Sequence, residues 1–502
     1  MKFELKGSLT LTKPIEKKVI EPLIKEANKT IMKKGASAGN GSKVDSFSIS
    51  GKELKLEISS DRYVRAHDGM LRLRKFIAEK IGREHKVGIR DVKIAEYKIS
   101  FDVESAPEKD LKFPLVDKIS FSGKKCTVLL KKIDEEFLQK NYIDRIINLV
   151  NEKTQPDYGG KTEHWELLWQ SGKKKHVWDN DPTVEMEKLG WIQRTKSRGQ
   201  WIFGPTPSKL MRVMEQIVLE EVIIPMGFSE MFFPKLVTWD VWAKSGHAKG
   251  IYPEAYYVCP PQTRDADFWE EVSDHFKITG EVDTKTIKTK IKEPIGGMCY
   301  AQCPPFWPYV DGKTLAKENL PLKVFDRSGT SMRYEGGGIH GIERVDEFHR
   351  IEIVWMGTPE QTAKIHQEMH DRFQDIFKNI LDIEARTAWV TPWFLAQEGS
   401  TKLADDKKKI GTIDFEAYMP YRGSREDSEW LEFQNASNNG PKYPDAFNVK
   451  AQGNPDLWSG CVGVGLERWL AVFTAQKGLD PKNWPESFKK RFGKMPDALN
   501  FL

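Results

Sequence analysis

Residues 323–352 read KVFDRSGTSMRYEGGGIHGIERVDEFHRIE. Two strand-like runs, 323–334 and 345–354, flank the glycines Gly336, Gly337, Gly338 and Gly341. A glycine cluster between such runs predicts a hairpin with a freely moving tip. Side chains two apart share one face of a strand. Arg333 therefore stands beside Glu335 on the first arm, and Arg350 beside Glu352 on the second. Arg344 and Glu347 add further charge. The pattern fits a solvated edge ribbon that uses charge against aggregation. It fits equally a surface that holds a polyanion and a cation side by side.

Around this stretch lies a chain of 502 residues, 39% of them hydrophobic, enough for a large core and at least two domains. It contains no apolar run long enough to span a membrane, and no signal peptide is evident. The cysteines are Cys126, Cys259, Cys299, Cys303 and Cys461, an odd and small set. That argues against a disulfide framework and for a reducing, cytoplasmic location. Residues 1–160 hold 33 Lys and Arg against 24 Asp and Glu, and the remainder 45 against 49. The asymmetry suggests that the first part meets a polyanion while the second does other work.

Residues 1–160 predict an α+β module. Phe3, Leu5, Leu9 and Leu11 step by two, as do Leu54, Leu56 and Ile58, and further such runs follow near residues 92, 99 and 126. Residues 15–34 and 134–152 have helical spacing. Between them DGMLRLRKFIAEKIGRE, residues 68–84, sets Met70, Leu73, Phe76, Ile77 and Ile81 on one helical stripe, with Asp68 placed to cap it. Arg72, Lys75, Lys80 and Arg83 fall off the stripe. A solvated face and a face for RNA phosphates both suit that pattern. Pro156, Gly159 and Gly160 mark a boundary, giving domains 1–160 and 161–502.

Past the boundary, Leu210, Val213, Ile217 and Val218 predict a helix over 208–224 that stops at Pro225 and Gly227. A strand follows from Met231. Pro234 removes a ladder donor, so this strand belongs at a sheet edge or a subunit contact. Residues 264–293 are dense in charge and read as a helical insertion over a site. In CVGVGLERWLAVF, residues 461–473, Gly463 and Gly465 permit close backbone approach before a buried helix. Arg468 sits in that helix's first turn, where it needs an anion. Cys299 and Cys303 alone are a weak metal pair. Packed, apolar thiols are the commoner fate of such cysteines, and Cys259 and Cys299 are read so.

Three of these patterns occur in order. The helix running into the strand with Pro234 resembles motif 1 of the class II aminoacyl-tRNA synthetases. Arg333-x-Glu335, the glycines, then Arg344, Phe348 and Glu352 resemble motif 2, and Gly463-x-Gly465-x-Glu467-Arg468 resembles motif 3. The segments VTWDVWAKSGHAKG, YYVCPPQTR, PIGGMCYAQCPPFW, FDRSGTS, GIHGIERVDEFHRIEIVW, VTPWF, EFQN and WSGCVGVGLERW resemble the atypical zinc-dependent seryl-tRNA synthetases of methanogenic archaea. The likeness runs through nearly all of residues 160–502. It extends more loosely over the N-terminal module, which in that family is a tRNA-binding α+β domain.

The resemblance implies an α+β fold, a class II antiparallel sheet flanked by helices plus a separate N-terminal RNA-binding domain. It implies ligation of serine to tRNA through an ATP-dependent seryl-adenylate. Two anions meet in that first step, so cations must neutralise the charge that builds on phosphorus. The expected clamps are Arg333 and Arg468, with Arg344 as a further phosphate contact and Glu432 holding Mg2+ with ATP. Glu335 is expected at the adenine amino group, and Phe348 and Arg468 on its two faces. One Zn2+ per subunit is expected at Cys303, Glu352 and Cys461, a trio whose complex carries a net charge of about −1. Arg350, Trp393, Gln397 and Asn435 are expected around serine, and Arg72, Lys75 and Arg83 toward the tRNA. The partners implied are ATP, L-serine, serine tRNA and a second copy of the chain joined through the motif 1 region. Whether selenocysteine tRNA is charged, and what His247 and His340 do, stay open. The alternatives are a threonyl-tRNA ligase, whose zinc ligands are one Cys and two His, and a class II paralogue that only binds RNA. Such a paralogue should have lost part of Arg333, Glu432, Arg468 or the Cys–Glu–Cys trio.

Overall fold

The structure, a computed structural model, describes residues 1–37, 40–107, 109–131, 133–140, 142–155, 165–300, 303–336, 338–391 and 410–497. The chain divides into two compact units, Met1–Lys161 and Thr162–Leu502.

In the first unit the period-two runs become β1 (Lys2–Leu11), then, after α1 (Lys17–Lys29), β2 (Ser42–Ser50) and β3 (Glu53–Ser60). Helix α2 (Ala66–His85) leads to β4 (Ile89–Asp102), β5 (Val116–Ser122), β6 (Lys125–Leu130) and the closing helix α3 (Tyr142–Lys153). The strands pair antiparallel in the order β2-β3-β1-β4-β6-β5. Alternate residues Phe3, Leu5, Leu9 and Leu11 are all buried, as the spacing predicts. Helix α2 begins ahead of Asp68, which falls in its first turn and is not the cap. Tertiary contacts draw those earlier residues in: buried His67 meets Tyr97 Oη at 2.6 Å and Arg65 pairs with Asp144 at 2.8 Å. The helix predicted over 134–152 is two pieces, Glu135–Gln139 under an Asp134 cap and then α3.

The second unit is built on a large sheet. Its elements here are β7 (Trp165–Gln170), α4 (Pro205–Val218), β8 (Ser229–Glu230), β9 (Leu322–Asp326), β10 (Thr330–Met332), β11 (Glu347–Gly357) and α5 (Pro359–Asp375). They continue as β12 (Ala385–Val390), β13 (Gly411–Ala417), β14 (Leu431–Gly440), β15 (Trp458–Gly465) and α6 (Leu466–Lys477). The order is β8-β9-β11-β15-β14-β13-β12-β7, with β10 beside β11. Only the β8–β9 pair among these is parallel. The strand expected from Met231 does not form: the edge strand is Ser229–Glu230, and residues 231–234 after it are in no strand, so the proline is not what places a strand at this edge.

Alternation along the strands divides this sheet into two faces. Ile351, Ile353 and Trp355 of β11, with Val462 and Val464 of β15, pack into one core with residues of α4, α5 and α6. Arg350, Glu352, Cys461 and Gly463 then belong to the other face. In β14 a bulge interrupts the count, since Phe415 pairs with Gln434 but Glu416 with Glu432. It turns Glu432 and Asn435, three apart, to the same side, where Asn435 Nδ2 donates to Glu432 Oε1 at 3.3 Å.

The opening ribbon is a hairpin, with β9 and β10 both paired to β11 and a break between them at Gly329, where φ is +65°. At Gly341 and Ile342 the ribbon is anchored. Trp201 Nε1 donates to the Gly341 carbonyl at 3.0 Å, and the Ile342 N–H donates to Thr183 Oγ1 at 3.1 Å. A Cβ on Gly341, where φ is +49°, would overlap Thr183, so this glycine serves close approach. The charged segment 264–293 is a pair of helices, Ala266–Thr279 and Thr284–Lys290, with no buried residue in either. Cys299 is buried as expected, whereas Cys259 is only partly buried.

Candidate active site

The open face of β11, β14 and β15 carries a cavity of about 480 Å³. Arg333, at the end of the hairpin's first arm, enters it with Nη2 3.1 Å from Glu254 Oε1 and its guanidinium 5.9 Å from the Tyr300 ring centre. Glu335 and Phe348 line the same cavity. Gly465 lines it too, and nothing lies within 4 Å of where its Cβ would stand. Arg468, in the first turn of α6, finds the anion its position requires. Its Nη1 donates to the Glu432 carbonyl at 2.7 Å and to Oε2 at 3.1 Å, and its Nε to the Glu343 carbonyl at 3.1 Å. Arg344 lies instead in an adjoining cavity of about 490 Å³, which shares Glu432 and Arg468, at 3.5 Å from Glu429.

Cys303, Glu352 and Cys461 also line the first cavity, and one ligand atom of each lies within 4.8 Å of the others. They come from the start of the short helix Pro304–Tyr309, from β11 and from β15. Glu352 is only 1% exposed. Its Oε2 pairs with Arg350 Nε at 2.8 Å. Burial pushes the Glu352 carboxyl up to about 7. A hydrogen bond with Cys461, together with burial, pushes the Cys303 thiol well above its ordinary range. Glu352 and Cys303 are thus biased toward holding their protons unless a cation takes their place. Two sulfurs and a carboxylate oxygen with no imidazole are a donor set that suits zinc. Asn439 Nδ2 donates to Cys461 Sγ at 3.6 Å.

Arg350 reaches this corner by lying across Gly463, where a Cβ would overlap the guanidinium, and its Nη1 donates to the Tyr300 carbonyl at 3.3 Å. Asn435 lines the cavity. Trp393 and Gln397 lie outside the described residues. In the first unit Lys75 and Arg83 are exposed on α2, but half-buried Arg72 is engaged, its Nη1 donating to the carbonyls of Ile31 and Lys34 at 3.2 and 2.7 Å. His247 is buried and stacked 6.3 Å from Tyr443, and burial lowers it to about 3, so it is neutral. His340 is exposed, 2.8 Å from Glu343. Sequence reasoning missed Glu254, Glu343, Asn439 and Tyr443. All four line or border the cavity, but nothing in their local sequence separates them from ordinary polar residues.

Residues 1–152 match the family model described as a tRNA-binding domain, and residues 301–477 the tRNA synthetase class II core domain (G, H, P, S and T). Over 100% of both chains, the sequence is 55% identical to the type-2 serine–tRNA ligase of Methanococcoides burtonii. The chain belongs to the type-2 serine–tRNA ligase family. The ligase of Methanothrix thermoacetophila is 52% identical over 100% of both chains. The solved structure of M. kandleri SerRS in complex with A. aeolicus tRNASec superposes with a TM-score of 0.87, covering 100% of this chain and 99% of that one at 30% identity.

The activity of this ligase is therefore the joining of serine to tRNA, on an α+β fold that combines a class II core with an N-terminal tRNA-binding domain. ATP with Mg2+ is implied by the synthetase class. The threonyl and RNA-binding-only alternatives are not favoured. Among the described residues no helix is long and apolar enough to cross a membrane.

Proposed function

We propose that this chain is a cytoplasmic ligase that activates serine at a zinc held by Cys303, Glu352 and Cys461. The observation that carries the reading is the convergence of those three side chains in one cavity with Arg333, Arg350 and Arg468. When bound, zinc supplies a Lewis-acidic position for the neutral amine of serine and excludes substrates without one. Arg350, held beside Glu352, meets the serine carboxylate, with Asn435 near the hydroxyl and Trp393 and Gln397 completing the pocket. Arg333 exchanges Glu254 for the α-phosphate, which suits a planar fork. Arg468 and Arg344 hold the outer phosphates, and Glu432 carries Mg2+. Phe348 covers one face of adenine, Arg468 the other, and Glu335 takes its amino group.

The serine carboxylate attacks the α-phosphorus and pyrophosphate departs. That carboxylate is already ionised, so no side-chain base is needed. A terminal ribose hydroxyl of the tRNA then attacks the adenylate carbonyl, releasing AMP. Rejection of threonine rests on one methyl group, worth about 1–3 kcal/mol in a pocket of this kind. Exposed Ile224 and Phe232, near the motif 1 edge, support a homodimer contact, and a monomer in sedimentation at micromolar protein would remove that reading.

Cys461→Ala tests the zinc assignment. Metal content measured by mass spectrometry and serine-dependent pyrophosphate exchange should fall together to background. Full exchange from a protein that has lost its metal would sink it.

A further inference from the structure

Asp346 is not among the residues that the motifs single out, yet it is fully buried on the second arm of the hairpin, and its carboxylate is the meeting point of three donors. Arg198 Nη1 reaches both carboxylate oxygens at 3.1 and 3.2 Å, Tyr256 Oη donates to Oδ2 at 2.6 Å, and the Glu335 N–H donates to Oδ1 at 2.9 Å. The backbone of Asp346 joins in, its carbonyl accepting the Arg333 N–H at 2.8 Å and its N–H donating to the Gly199 carbonyl at 2.9 Å. Arg198 closes the ring, since its Nη2 donates to the Glu335 carbonyl at 2.6 Å while its guanidinium lies 3.9 Å from the Tyr334 ring centre. Both backbone polar groups of Glu335 are thus held by one ion pair. A Cβ on Gly199 would overlap Asp346, so this approach also needs the glycine.

The three partners come from separate elements: Arg198 from the turn between Ile192–Arg194 and Trp201–Phe203, Tyr256 from the residue before Tyr257–Val258, and Asp346 from the ribbon itself. A carboxylate buried this deeply is costly unless its acceptor sites are filled. Here they are filled by groups whose common effect is to fix residues 333–335. Arg333 and Glu335 cannot be aimed by the sheet, because β10 ends at Met332 and the backbone beyond it is irregular.

We infer that Asp346, clamped by Arg198 and Tyr256, is a positioning residue that sets adenine specificity by fixing Glu335 and Arg333 over the nucleotide. This rests on the reading of Glu335 as the adenine contact. Loss of the clamp lets Glu335 swing, so ATP is held less well and the distinction from a purine bearing a 6-oxo group fades. Serine and zinc, held by β11 and β15, are untouched.

The test is pyrophosphate exchange by the full-length zinc-loaded ligase with ATP or GTP, using Asp346→Asn, Arg198→Ala, Arg198→Lys, Tyr256→Phe and Glu335→Gln. Loss of a charged hydrogen bond predicts that Asp346→Asn and Arg198→Ala raise KM for ATP by about tenfold or more and shrink the ATP-over-GTP preference similarly. KM for serine and zinc content should hold. Arg198→Lys, which keeps the charge, should recover part of the preference, and Tyr256→Phe should show a smaller effect. If Asp346→Asn does not fold, Arg198→Ala and Tyr256→Phe carry the test, because the Arg198 side chain is 30% exposed and Tyr256→Phe removes only a hydroxyl. Folded variants with unchanged ATP KM and preference overturn the inference, as does an equal rise in the KM values for ATP and serine. If Glu335→Gln also leaves the preference unchanged, the adenine reading itself has failed; if only Glu335→Gln alters it, the clamp alone has.

Discussion

Gly463 shows how much of this site depends on atoms that are not there. Its missing side chain gives the Arg350 guanidinium a path across β15 to Glu352. An alanine here would push Arg350 off that path. Gly463→Ala should therefore raise KM for serine in pyrophosphate exchange by about tenfold or more, the cost of a displaced charged contact. Zinc content should stay near one per subunit. Unchanged serine KM would mean that Arg350 does not meet the carboxylate. Arg468 illustrates the opposite case, a charge whose need for an anion was plain from its place in a buried helix. Glu432 supplies it at 3.1 Å. The lone cysteines were the least legible, since Cys303 is as buried as Cys299 and only its neighbours distinguish it.

Among the elements, the hairpin was readable from its glycines and its charge, but the state of its tip was not. A glycine allows motion and allows close packing alike, and Thr183 and Trp201, more than a hundred positions away in sequence, settle the matter at Gly341. The β14 bulge is a second case, because counting by two would send Glu432 and Asn435 to opposite faces. The charged segment forms two helices with no buried residue, and its independence can be tested. Gln262 and Lys290 are joined by a 3.1 Å backbone hydrogen bond, so a short Gly-Ser link can replace residues 265–288. With no buried residue lost, the thermal midpoint should move by no more than a few degrees and serine activation should persist. Loss of activation with the fold retained would show that the insertion contributes to the site.

At the scale of the whole molecule, two units with their own cores separate two tasks. Replacing Lys75 and Arg83 together with Glu should weaken tRNA charging and lessen its salt dependence, while serine-dependent pyrophosphate exchange is unaffected. Loss of both activities would make the basic helix structural. Arg72 is left out because its hydrogen bonds to two carbonyls tie its removal to stability. Sequence by itself determined the alternating strands of the first unit and the class II motifs, because these depend on local spacing and on which side chains are present. Tertiary structure alone decided where Asp68 falls relative to its helix start, which face Asn435 takes, what pins Gly341 and which buried carboxylate aims Glu335. Those outcomes turn on contacts between residues far apart in the chain, where a collision, a bulge or a filled hydrogen bond outweighs any local preference.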